Sequence, residues 1–342
     1  MPNLRIGIVG LGVMGTAHFG VYATMPSIAR VTALADIDPA KRRGDWSAIG
    51  GNITTGGQIT DLSGIHVYAD YRDLIHSSDV DVVDVTLPTY LHKECVVAAL
   101  AAGKHVICEK PMAMTASDAN AMADAARRFG KMLFVAQCIR FWPSYALAAT
   151  IIRDRRYGTL RSARFQRLSA LPTWSWDQWL MDDTRSGRAA LDFHIHDADF
   201  VMYAFGKPTA VSSYGFRNAD GGYDHIVTRY RYDDGRLIFT EGAWGHAPGY
   251  PFSMTFTLQF EQGTLVLGTD GLLVYYPGVG GREVLPVPEG SGYDHELRHF
   301  LECISSGKES TIISPESAAA SVALIEAEIR SAKTGVEVAF LR

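Results

Sequence analysis

A glycine-rich turn near the N-terminus constrains the fold of this chain more than any other feature. The stretch RIGIVGLGVMGTAHFGVYA begins at Arg5 with a β-branched apolar run, continues through three glycines, and ends in a pattern typical of a helix. Gly10, Gly12 and Gly15 have the spacing of a dinucleotide-binding turn. Gly10 permits a sharp turn, Gly12 leaves room for a pyrophosphate beside the backbone, and Gly15 lets the helix pack closely on the sheet. The pattern alone is weak, so a purely structural turn is the alternative.

An acidic residue follows at the distance expected of a ribose-binding group. The apolar stretch VTALADIDP lies about twenty residues beyond the turn and ends with Asp36. A carboxylate at this place bonds the ribose hydroxyls of a dinucleotide and repels a 2′-phosphate, so we expect NAD as the cofactor, with NADP disfavoured. Lys41, Arg42 and Arg43 moderate this preference, because they would either neutralise a phosphate or form the solvated face of a helix.

Composition excludes several classes of partner. The 342 residues, 47% of them hydrophobic, suggest two domains with cores of their own. A net charge of −5 without blocks of like charge argues against nucleic acid and anionic membranes, and no apolar run reaches the roughly 18 residues of a membrane span. The first strand begins at Leu4 and leaves no room for a signal peptide, so we expect a cytoplasmic protein. The scattered cysteines are expected to be reduced and mostly buried: Cys95, Cys108, Cys138 and Cys303.

Hydrophobic periodicity divides the chain into two folding patterns. Strands alternate with helices up to about residue 139 and predict an α/β domain over residues 1–139, a Rossmann fold with a doubly wound parallel sheet. Residues 140–342 show period-two alternation with DDG and EQG hairpin turns, and predict an α+β domain with a large, mainly antiparallel open sheet. A long Gly- and Thr-rich surface loop of unknown role is expected at 50–64. Helices are expected at 39–49, 71–76, 90–102, 116–129, 192–205, 293–305 and 315–333.

A lysine follows the fifth predicted strand, at the sheet edge where ligands of α/β proteins collect. Glu109, Lys110 and Pro111 stand at the carboxyl end of HVICEKP. A lysine there lies near the nicotinamide end of a dinucleotide stretched across the sheet edge, and Pro111 restricts the backbone of Lys110. The alternative is a surface lysine in an ordinary turn.

A second polar group occurs in the stretch LDFHIHDADFVMYAFG. If a helix begins near Asp192, then Asp192, His196 and Asp199 share one face. Histidine titrates in the range needed to take the proton of a reacting hydroxyl, and a neighbouring carboxylate can orient it. The alternative is that Asp192 caps the helix and the histidines pack under the sheet. On a chain with a dinucleotide-binding turn the catalytic interpretation is favoured, and it requires no metal.

These segments resemble the glucose-fructose oxidoreductase and inositol dehydrogenase family (Gfo/Idh/MocA). The resemblance covers nearly the whole chain and is carried by GLGVMG, Asp36, TLPTYLH, AAGKHVICEKP, and Asp192 with His196 and Asp199. It implies a Rossmann domain and a C-terminal open sheet whose face, with the nicotinamide, encloses a sugar or polyol. It also implies homodimers or homotetramers built by packing those sheets. His194 stands where the family motif usually has glycine, so its ring either contacts the substrate or faces the core.

Carried onto this chain, the resemblance identifies the residues of the site. The family's lysine corresponds to Lys110, its motif acids to Asp192 and Asp199, and its histidine to His196. Lys110, Asp192 and His196 are therefore the expected catalytic residues. The expected cofactor contacts are Gly10, Gly12, Val13, Met14, Gly15, Asp36, Ile37, Thr86, Leu87, Pro88, His92, Glu109 and Lys110.

A tryptophan-rich stretch, LPTWSWDQWLMDDTRSGR, precedes Asp192. It forms either a buried aromatic plug or a lid at the pocket mouth, where indole faces suit the apolar face of a sugar ring. Few cations besides Lys110 are placed near the expected reaction centre, so we expect a neutral polyol or glycoside and not a sugar phosphate. Arg185 and Arg188 argue against this, because arginines commonly bind phosphate. Substrate contacts are expected from Lys110, Arg140, Trp142, Trp174, Trp176, Asp192 and His196, with Phe141 and Trp179 nearby.

The leading functional hypothesis is reversible oxidation of a secondary alcohol on a cyclic polyol or sugar. In this hypothesis His196 exchanges the hydroxyl proton, Asp192 orients His196 or holds a neighbouring hydroxyl, and Lys110 stabilises charge on the reacting oxygen. The sequence HIHDADF resembles the inositol and sugar dehydrogenases or ketoreductases of the family more than its NAD-dependent glycosidases. Two alternatives remain: a non-catalytic dinucleotide-dependent sensor, and the glycosidase activity.

Overall fold

The structure is a computed structural model that describes residues 3–51 and 58–340. The chain divides into two units, which we describe separately. The first contains Met1–Gln137, Trp174–Trp179 and Tyr293–Ala320, and the second contains Cys138–Thr173, Leu180–Gly292 and Ser321–Arg342. Two pieces from beyond residue 140 therefore belong to the N-terminal unit, which the order of the sequence does not indicate.

The first unit is built on a six-stranded parallel sheet with the order β3-β2-β1-β4-β5-β6. This order confirms the predicted doubly wound Rossmann sheet, because the strand order reverses between β1 and β4. The strands are β1 (Leu4–Val9), β2 (Ala29–Ala35), β3 (His66–Tyr68), β4 (Val82–Val85), β5 (His105–Glu109) and β6 (Leu133–Ala136). The helices are α1 (Val13–Ala23), α2 (Pro39–Arg42), α3 (Tyr71–Ile75), α4 (His92–Ala101) and α5 (Ala116–Phe129), with α9 (Gly292–Ser306) returning from late in the chain.

Strand β4 shows why this unit forms a parallel sheet. Its sequence VVDV is buried at every position, as expected of a strand covered on both faces by helices. Asp84 is the polar residue of this strand and is fully buried. A charged group in such a strand requires partners, which here are His18 and Tyr22 of α1.

The helix predicted over residues 39–49 is wrong in length. Helix α2 ends at Arg42, and Gly44 adopts a positive φ of 83° that ends helical geometry. A Cβ at Gly44 would lie 2.1 Å from the Thr60 carbonyl oxygen, so the chain passes too closely for another residue. Asp45 then forms an isolated antiparallel bridge with Ile59. Residues 52–57 of the predicted surface loop lie outside the described residues.

The second unit contains a nine-stranded sheet with the order β14-β13-β12-β11-β7-β10-β9-β8-β15. Neighbouring strands are antiparallel except β7 and β10, which are parallel, so the predicted mainly antiparallel sheet is confirmed. The strands are β7 (Leu160–Ala170), β8 (Ala210–Arg217), β9 (Tyr223–Arg231), β10 (Leu237–His246), β11 (Ser253–Phe260), β12 (Gly263–Leu267), β13 (Leu273–Pro277), β14 (Glu283–Val284) and β15 (Val338–Ala339). The helices are α6 (Pro143–Arg153), α7 (Asp183–Ser186), α8 (Ile195–Phe205) and α10 (Pro315–Thr334), the last of which starts within the first unit.

Aromatic side chains join α6, α8 and the sheet of the second unit. Tyr145 lies edge-to-face with Phe200 and with Phe256, each at a ring-centroid distance of 5.0 Å, and Phe165 packs beside them. All four rings are fully buried or nearly so, and each such ring contributes roughly 2–3 kcal/mol through apolar burial. This core fixes α8, which carries His196, against one face of the sheet.

Candidate active site

The three glycines of the N-terminal turn have separate geometric roles. Gly10 has a φ of 93°, and a Cβ there would lie 2.9 Å from the Thr86 carbonyl oxygen. A Cβ at Gly15 would lie 2.0 Å from the Gly10 carbonyl oxygen, so only glycine lets α1 pack this closely. A Cβ at Gly12 would meet nothing within 4 Å. The space beside Gly12, at the start of α1, is where the backbone can take a phosphate group.

Asp36 is held in a defined orientation at the end of β2. Its Oδ2 accepts a hydrogen bond from the Leu11 amide at 2.6 Å, and its Oδ1 accepts one from the Asp38 amide at 2.8 Å. The Nζ of Lys41 lies 3.9 Å from Oδ2, while Arg42 donates to the Asp36 and Ile37 carbonyl oxygens. Lys41 and Arg42 therefore engage the turn around Asp36. The carboxylate is preorganised beside the glycine turn.

The other predicted cofactor residues lie at the start of α1, after β2 and in the loop after β4. Val13 and Met14 are half-buried at the start of α1, and Ile37 is 70% exposed, so its apolar side chain is available to a ligand. Thr86 is buried and donates to the carbonyl oxygens of Gly10 and Val9, which braces the glycine turn. The loop after β4 continues through Leu87 and Pro88.

His92 is buried and joins two loops of the first unit. Its Nε2 lies 2.7 Å from the Leu87 carbonyl oxygen, and its Nδ1 lies 2.9 Å from the Pro111 carbonyl oxygen. Burial lowers the pKa of His92, against the smaller opposing effect of these carbonyl groups. The ring thus fixes the loop that follows β4 relative to the loop that follows β5, and direct cofactor contact by His92 stays a prediction.

A buried ionisable cluster lies behind Lys110. The Lys110 amide donates to Glu109 Oε2 at 2.9 Å, and Glu109 Oε1 lies 3.3 Å from His18 Nε2. The second contact lies outside good hydrogen-bond geometry and is an ion pair when the His18 ring is protonated. His18 Nδ1 lies 2.9 Å from Asp84 Oδ2, which also accepts the Tyr22 hydroxyl at 2.8 Å. Burial lowers the pKa of His18, but Asp84 and then Glu109 outweigh it, and the pKa rises well above its ordinary value.

Glu296, on α9, is the remaining acidic member of this cluster. It is fully buried, and neither carboxylate oxygen has a hydrogen-bond partner among the described residues. Burial raises the pKa of Glu296 well above its ordinary value, and the neighbouring Glu109 adds to this, while His18 opposes it. Burial without partners therefore favours the neutral form of this carboxyl group. Neither His18 nor Glu296 is predicted from the sequence, although a histidine on α1 three residues after Gly15 is unusual enough to signal a special role.

Replacing Glu296 with glutamine is expected to stabilise the protein at alkaline pH. Because the folded-state pKa of Glu296 lies above its unfolded value of 4.5, its favourable contribution is complete below that pH and is lost as the pH rises through the folded pKa. The amide does not ionise, so the free energy of unfolding of Glu296→Gln should exceed the parent's by roughly 1–3 kcal/mol at about pH 8. The difference in free energy of unfolding between the two proteins should decrease as the pH falls towards about 4.5.

Thermal unfolding of the two proteins across this pH range measures the effect. Glu302→Gln, an exposed substitution on the same helix, is the control and should shift the pH dependence little. Parallel curves for Glu296→Gln and the parent would show that folding does not raise the pKa of Glu296.

Asp192 lies on a π-helical turn of the second unit, so the predicted start of a regular helix at residue 192 is wrong. The turn spans Ala189–Phe193, and the His194 amide donates to the Ala189 carbonyl oxygen at 2.8 Å. Helix α8 begins only at Ile195, and Asp192 does not act as its side-chain cap. Asp192 is buried, while His196 is partly exposed on the first turn of α8. Turns of this kind occur frequently at functional sites.

The residue before this turn has an unusual backbone. Arg188 adopts φ 51° and ψ −151°, close to a region that essentially only glycine occupies, at a cost of about 1–3 kcal/mol. Its guanidinium group forms a bidentate pair with Asp224 at 2.8 and 2.7 Å and a third contact with Asp220 at 2.7 Å. Arg188 is thus engaged by the protein, which weakens the argument for a phosphate-binding arginine.

His194 faces the core of the second unit. It is fully buried, and its Nε2 lies 2.9 Å from Glu328 Oε2 and 3.2 Å from Thr240 Oγ1. Glu328 Oε1 also accepts a hydrogen bond from the Tyr230 hydroxyl at 2.7 Å. Of the two interpretations left open for His194, the structure supports the core position. The glycine usual at this position in the family would leave Glu328 without this partner.

Buried ion pairs hold the N-terminal half of α8. Arg140, predicted to contact substrate, is buried and makes a bidentate pair with Asp199 at 2.8 and 2.6 Å. Arg167 pairs with Asp197 at 2.8 Å, and Ser321 donates to Asp199 at 2.6 Å. Asp199 is therefore occupied with fixing α8, and a substrate contact by Arg140 stays a prediction. Trp142, half-buried, packs against Gly292.

The tryptophan-rich segment presents its indoles to solvent. Trp174 and Trp176 are 40% and 49% exposed, which excludes a buried aromatic plug. Within the first unit, a Cβ at Gly50 would lie 3.4 Å from Trp174 Cβ, and one at Gly51 would lie 2.8 Å from Val13 Cγ2. The segment therefore lies close to the residues that flank the glycine turn.

Lys110 belongs to the first unit, and Asp192 and His196 belong to the second. The structure places Asp192 and His196 on consecutive turns of one segment. Across residues 3–51 and 58–340, no cluster of His, Cys, Asp or Glu has the arrangement of a metal site. The same residues contain no helix that is both long and apolar enough to cross a bilayer. All four cysteines are buried and unbridged, as predicted.

Two family models match the chain. One, described as the oxidoreductase family with an NAD-binding Rossmann fold (GFO_IDH_MocA), matches residues 4–137. The other, the GFO/IDH/MocA C-terminal domain, matches residues 145–274. The two matches follow each other along the chain and together cover most of it.

Individual proteins show the same similarity. A levoglucosan dehydrogenase from Pseudarthrobacter phenanthrenivorans is 32% identical over 226 residues, 62% of this chain and 54% of that protein, so the match spans about half of the relative's length. A trans-1,2-dihydrobenzene-1,2-diol dehydrogenase from Macaca fuscata fuscata is 28% identical over 335 residues, 91% of each chain. The solved structure of a levoglucosan dehydrogenase in complex with NADH and levoglucosan covers 100% of both chains with a TM-score of 0.84 at 24% identity, a likeness of fold.

Proposed function

The chain belongs to the Gfo/Idh/MocA family of NAD-binding oxidoreductases, and we propose that it oxidises a secondary alcohol on a cyclic polyol or sugar, reversibly and with NAD. The observation that carries this proposal is the coexistence of an intact cofactor turn with Lys110, Asp192 and His196. A protein that only sensed a dinucleotide would have no need of this proton-transfer set.

Each residue has a defined part in the proposed reaction. Bound NAD would supply the acceptor for the hydride that leaves the carbinol carbon. The hydroxyl proton passes to His196, and the C–O single bond becomes the carbonyl of the ketone. Asp192 orients His196 or holds a neighbouring hydroxyl, and the Lys110 ammonium stabilises negative charge that develops on the reacting oxygen. Glu109 supports Lys110 by fixing its backbone amide.

We assign cofactor binding to residues 1–139 and substrate binding to residues 140–342. The exposed indoles of Trp174 and Trp176 are among the proposed substrate contacts. Indole faces pack on the apolar face of a ring, and their N–H groups bond hydroxyls. Arg188 and Arg140 are taken up by internal carboxylates, which supports a neutral substrate over a sugar phosphate. The two named relatives act on an anhydrosugar and on a cyclic diol, which are neutral rings as well.

A panel of inositols, free pyranoses, anhydrosugars, glycosides and sugar phosphates, assayed by NADH absorbance, tests the function. We expect steady net NADH formation with at least one neutral ring compound. Hydrolysis of a glycoside without net NADH would support the glycosidase alternative. Tight NAD binding with no turnover of any compound would support a sensor. Activity confined to phosphorylated sugars would contradict the proposed substrate class.

NAD is expected to bind more tightly than NADP by roughly 1–3 kcal/mol, the value of a hydrogen bond to a charged group. The reason is Asp36, whose carboxylate is fixed by the Leu11 and Asp38 amides where ribose hydroxyls are expected. Titration of both nucleotides by quenching of intrinsic fluorescence measures the difference. Asp36→Asn should reduce the difference in affinity between NAD and NADP. Equal affinities of the parent protein for the two nucleotides would refute the role of Asp36.

We further propose that the protein is a cytoplasmic homodimer or homotetramer assembled through the nine-stranded sheet. The open face of that sheet exposes Tyr214 and Phe216 at 70% and 73%, with Val227 directly opposite Tyr214 on the neighbouring strand. Exposed apolar residues grouped on one sheet face are typical of an interface. Unbridged, buried cysteines fit a reducing compartment. Light scattering of the purified protein measures the assembly, and a monomer at micromolar concentration would contradict it.

A further inference from the structure

The backbone reverses sharply just before the turn that carries Asp192. Gly187 and Arg188 have φ values of 68° and 51° in succession, which places two consecutive residues at positive φ between α7 and the π-helical turn. Glycine adopts this geometry freely, but arginine does so only when the surrounding structure enforces it. A Cβ at Gly187 would lie 2.5 Å from Leu191 Cβ, so the reversal is packed tightly against the turn.

The Arg188 side chain supplies the contacts that enforce this geometry. Its Nε and Nη2 donate to the two oxygens of Asp224, and Nη1 donates to Asp220 at 2.7 Å and to the Met181 carbonyl oxygen. The Arg188 amide donates to Ser186 Oγ at 2.9 Å. The arginine side chain is only 9% exposed.

The turn between β8 and β9 leaves room for this side chain. A Cβ at Gly222, between Asp220 and Asp224, would lie 2.4 Å from Arg188 Cδ. Four of the five N–H positions of the guanidinium group are directed at acceptors within the protein. Its charge is met by two carboxylates, so the group is built to hold this part of the chain and has little capacity left for a ligand.

We propose that Arg188 is a positioning residue for the reaction: its ion pairs hold the backbone reversal that sets the π-helical turn Ala189–Phe193, and thereby the directions of Asp192 and His196. This inference rests on the proposed function for the roles of those two residues. The physical reason is that Asp192 lies four residues after Arg188, and relaxation of the strained backbone at Arg188 would rotate the turn between them. Misplacement of a catalytic group by about 1 Å costs up to 10²-fold in rate.

Alanine and glycine at position 188 separate positioning from simple stabilisation. Both variants lose the guanidinium group, but only alanine keeps the strain, because glycine adopts the same φ without it. We expect both to lower the melting temperature. Arg188→Ala should lower kcat by about 10–100-fold, whereas Arg188→Gly should restore kcat to within about threefold of the parent. KM for NAD should change less than about twofold in both. Arg153→Ala, an exposed arginine of α6, is the control.

A readout that does not require turnover keeps this test separate from the proposed function. Hydrogen–deuterium exchange of the segment 189–196 should accelerate about tenfold in Arg188→Ala and stay near the parent in Arg188→Gly. Asp224→Asn, which weakens the bidentate pair from the other side, should reproduce the alanine result and replaces it if Arg188→Ala does not fold. Equal losses of kcat in the alanine and glycine variants, in step with the melting temperature, would overturn the proposal. So would unchanged exchange in Arg188→Ala and Asp224→Asn.

Discussion

Replacing His196 or Lys110 with alanine is expected to lower kcat by about 10²-fold or more while NAD affinity stays within a few-fold of the parent. His196 is partly exposed at the start of α8, and its proposed task is to take the hydroxyl proton as the hydride leaves. Lys110 follows strand β5, where its proposed task is to stabilise the developing alkoxide. Both tasks exist only during the reaction, so the losses should appear in kcat and not in cofactor binding.

Steady-state kinetics with the best compound of the substrate panel, together with fluorescence titration of NAD, measures both quantities. His66→Ala and Lys93→Ala remove an exposed histidine and an exposed lysine of the first unit and serve as matched controls. Added imidazole should partly restore turnover to His196→Ala, because a small base can then occupy the vacated space. Near-normal turnover in either alanine variant would show that the residue is structural.

The sequence was sufficient to predict the parallel sheet and the mainly antiparallel sheet because their signals are local. Buried parallel strands such as β6 have continuous apolar sequences, and the DDG and EQG turns mark hairpins. The glycine spacing also predicted the backbone geometry of the turn: Gly10 has the expected positive φ, and Gly15 has the expected close packing. Asp36 likewise ends β2 beside the glycine turn, as its spacing from that turn indicated.

The rest depended on contacts between distant parts of the chain. Helix α2 stops at Arg42 because Gly44 lies against Thr60, a contact that periodicity does not encode. The π-helical turn at Asp192 follows a strained residue, Arg188, whose partners Asp220 and Asp224 lie more than thirty positions later.

The buried cluster behind Lys110 shows the same limit on reading a site from sequence. His18, Asp84 and Glu109 come from three elements of the first unit, and Glu296 comes from a helix near the other end of the chain. Each residue alone is an ordinary polar side chain. Only the folded unit brings them together, where burial raises the pKa of Glu296 well above its ordinary value. There Asp84 and Glu109 also raise the pKa of His18 well above its ordinary value, against the opposing effect of burial.

Alanine at Gly12 is expected to weaken NAD binding by about 10²-fold without destabilising the protein. The added Cβ would meet no protein atom within 4 Å, so the fold tolerates it, but it would occupy the space where a pyrophosphate must approach the backbone at the start of α1. Alanine at Gly15 should act differently. Its Cβ would lie 2.0 Å from the Gly10 carbonyl oxygen, and overpacking of backbone against backbone should cost roughly 3 kcal/mol of folding free energy.

Gly20→Ala is the matched control for this pair, because Gly20 lies on the same helix, is exposed, and has equally open space at its Cβ position. Gly20→Ala should leave NAD affinity unchanged. It should not lower the melting temperature, since alanine favours a helix more than glycine does. NAD titration and thermal unfolding of the three variants give the decisive comparison. If Gly12→Ala bound NAD as tightly as Gly20→Ala does, the pyrophosphate could not lie against the turn, and the placement of the nicotinamide near Lys110 would lose its basis.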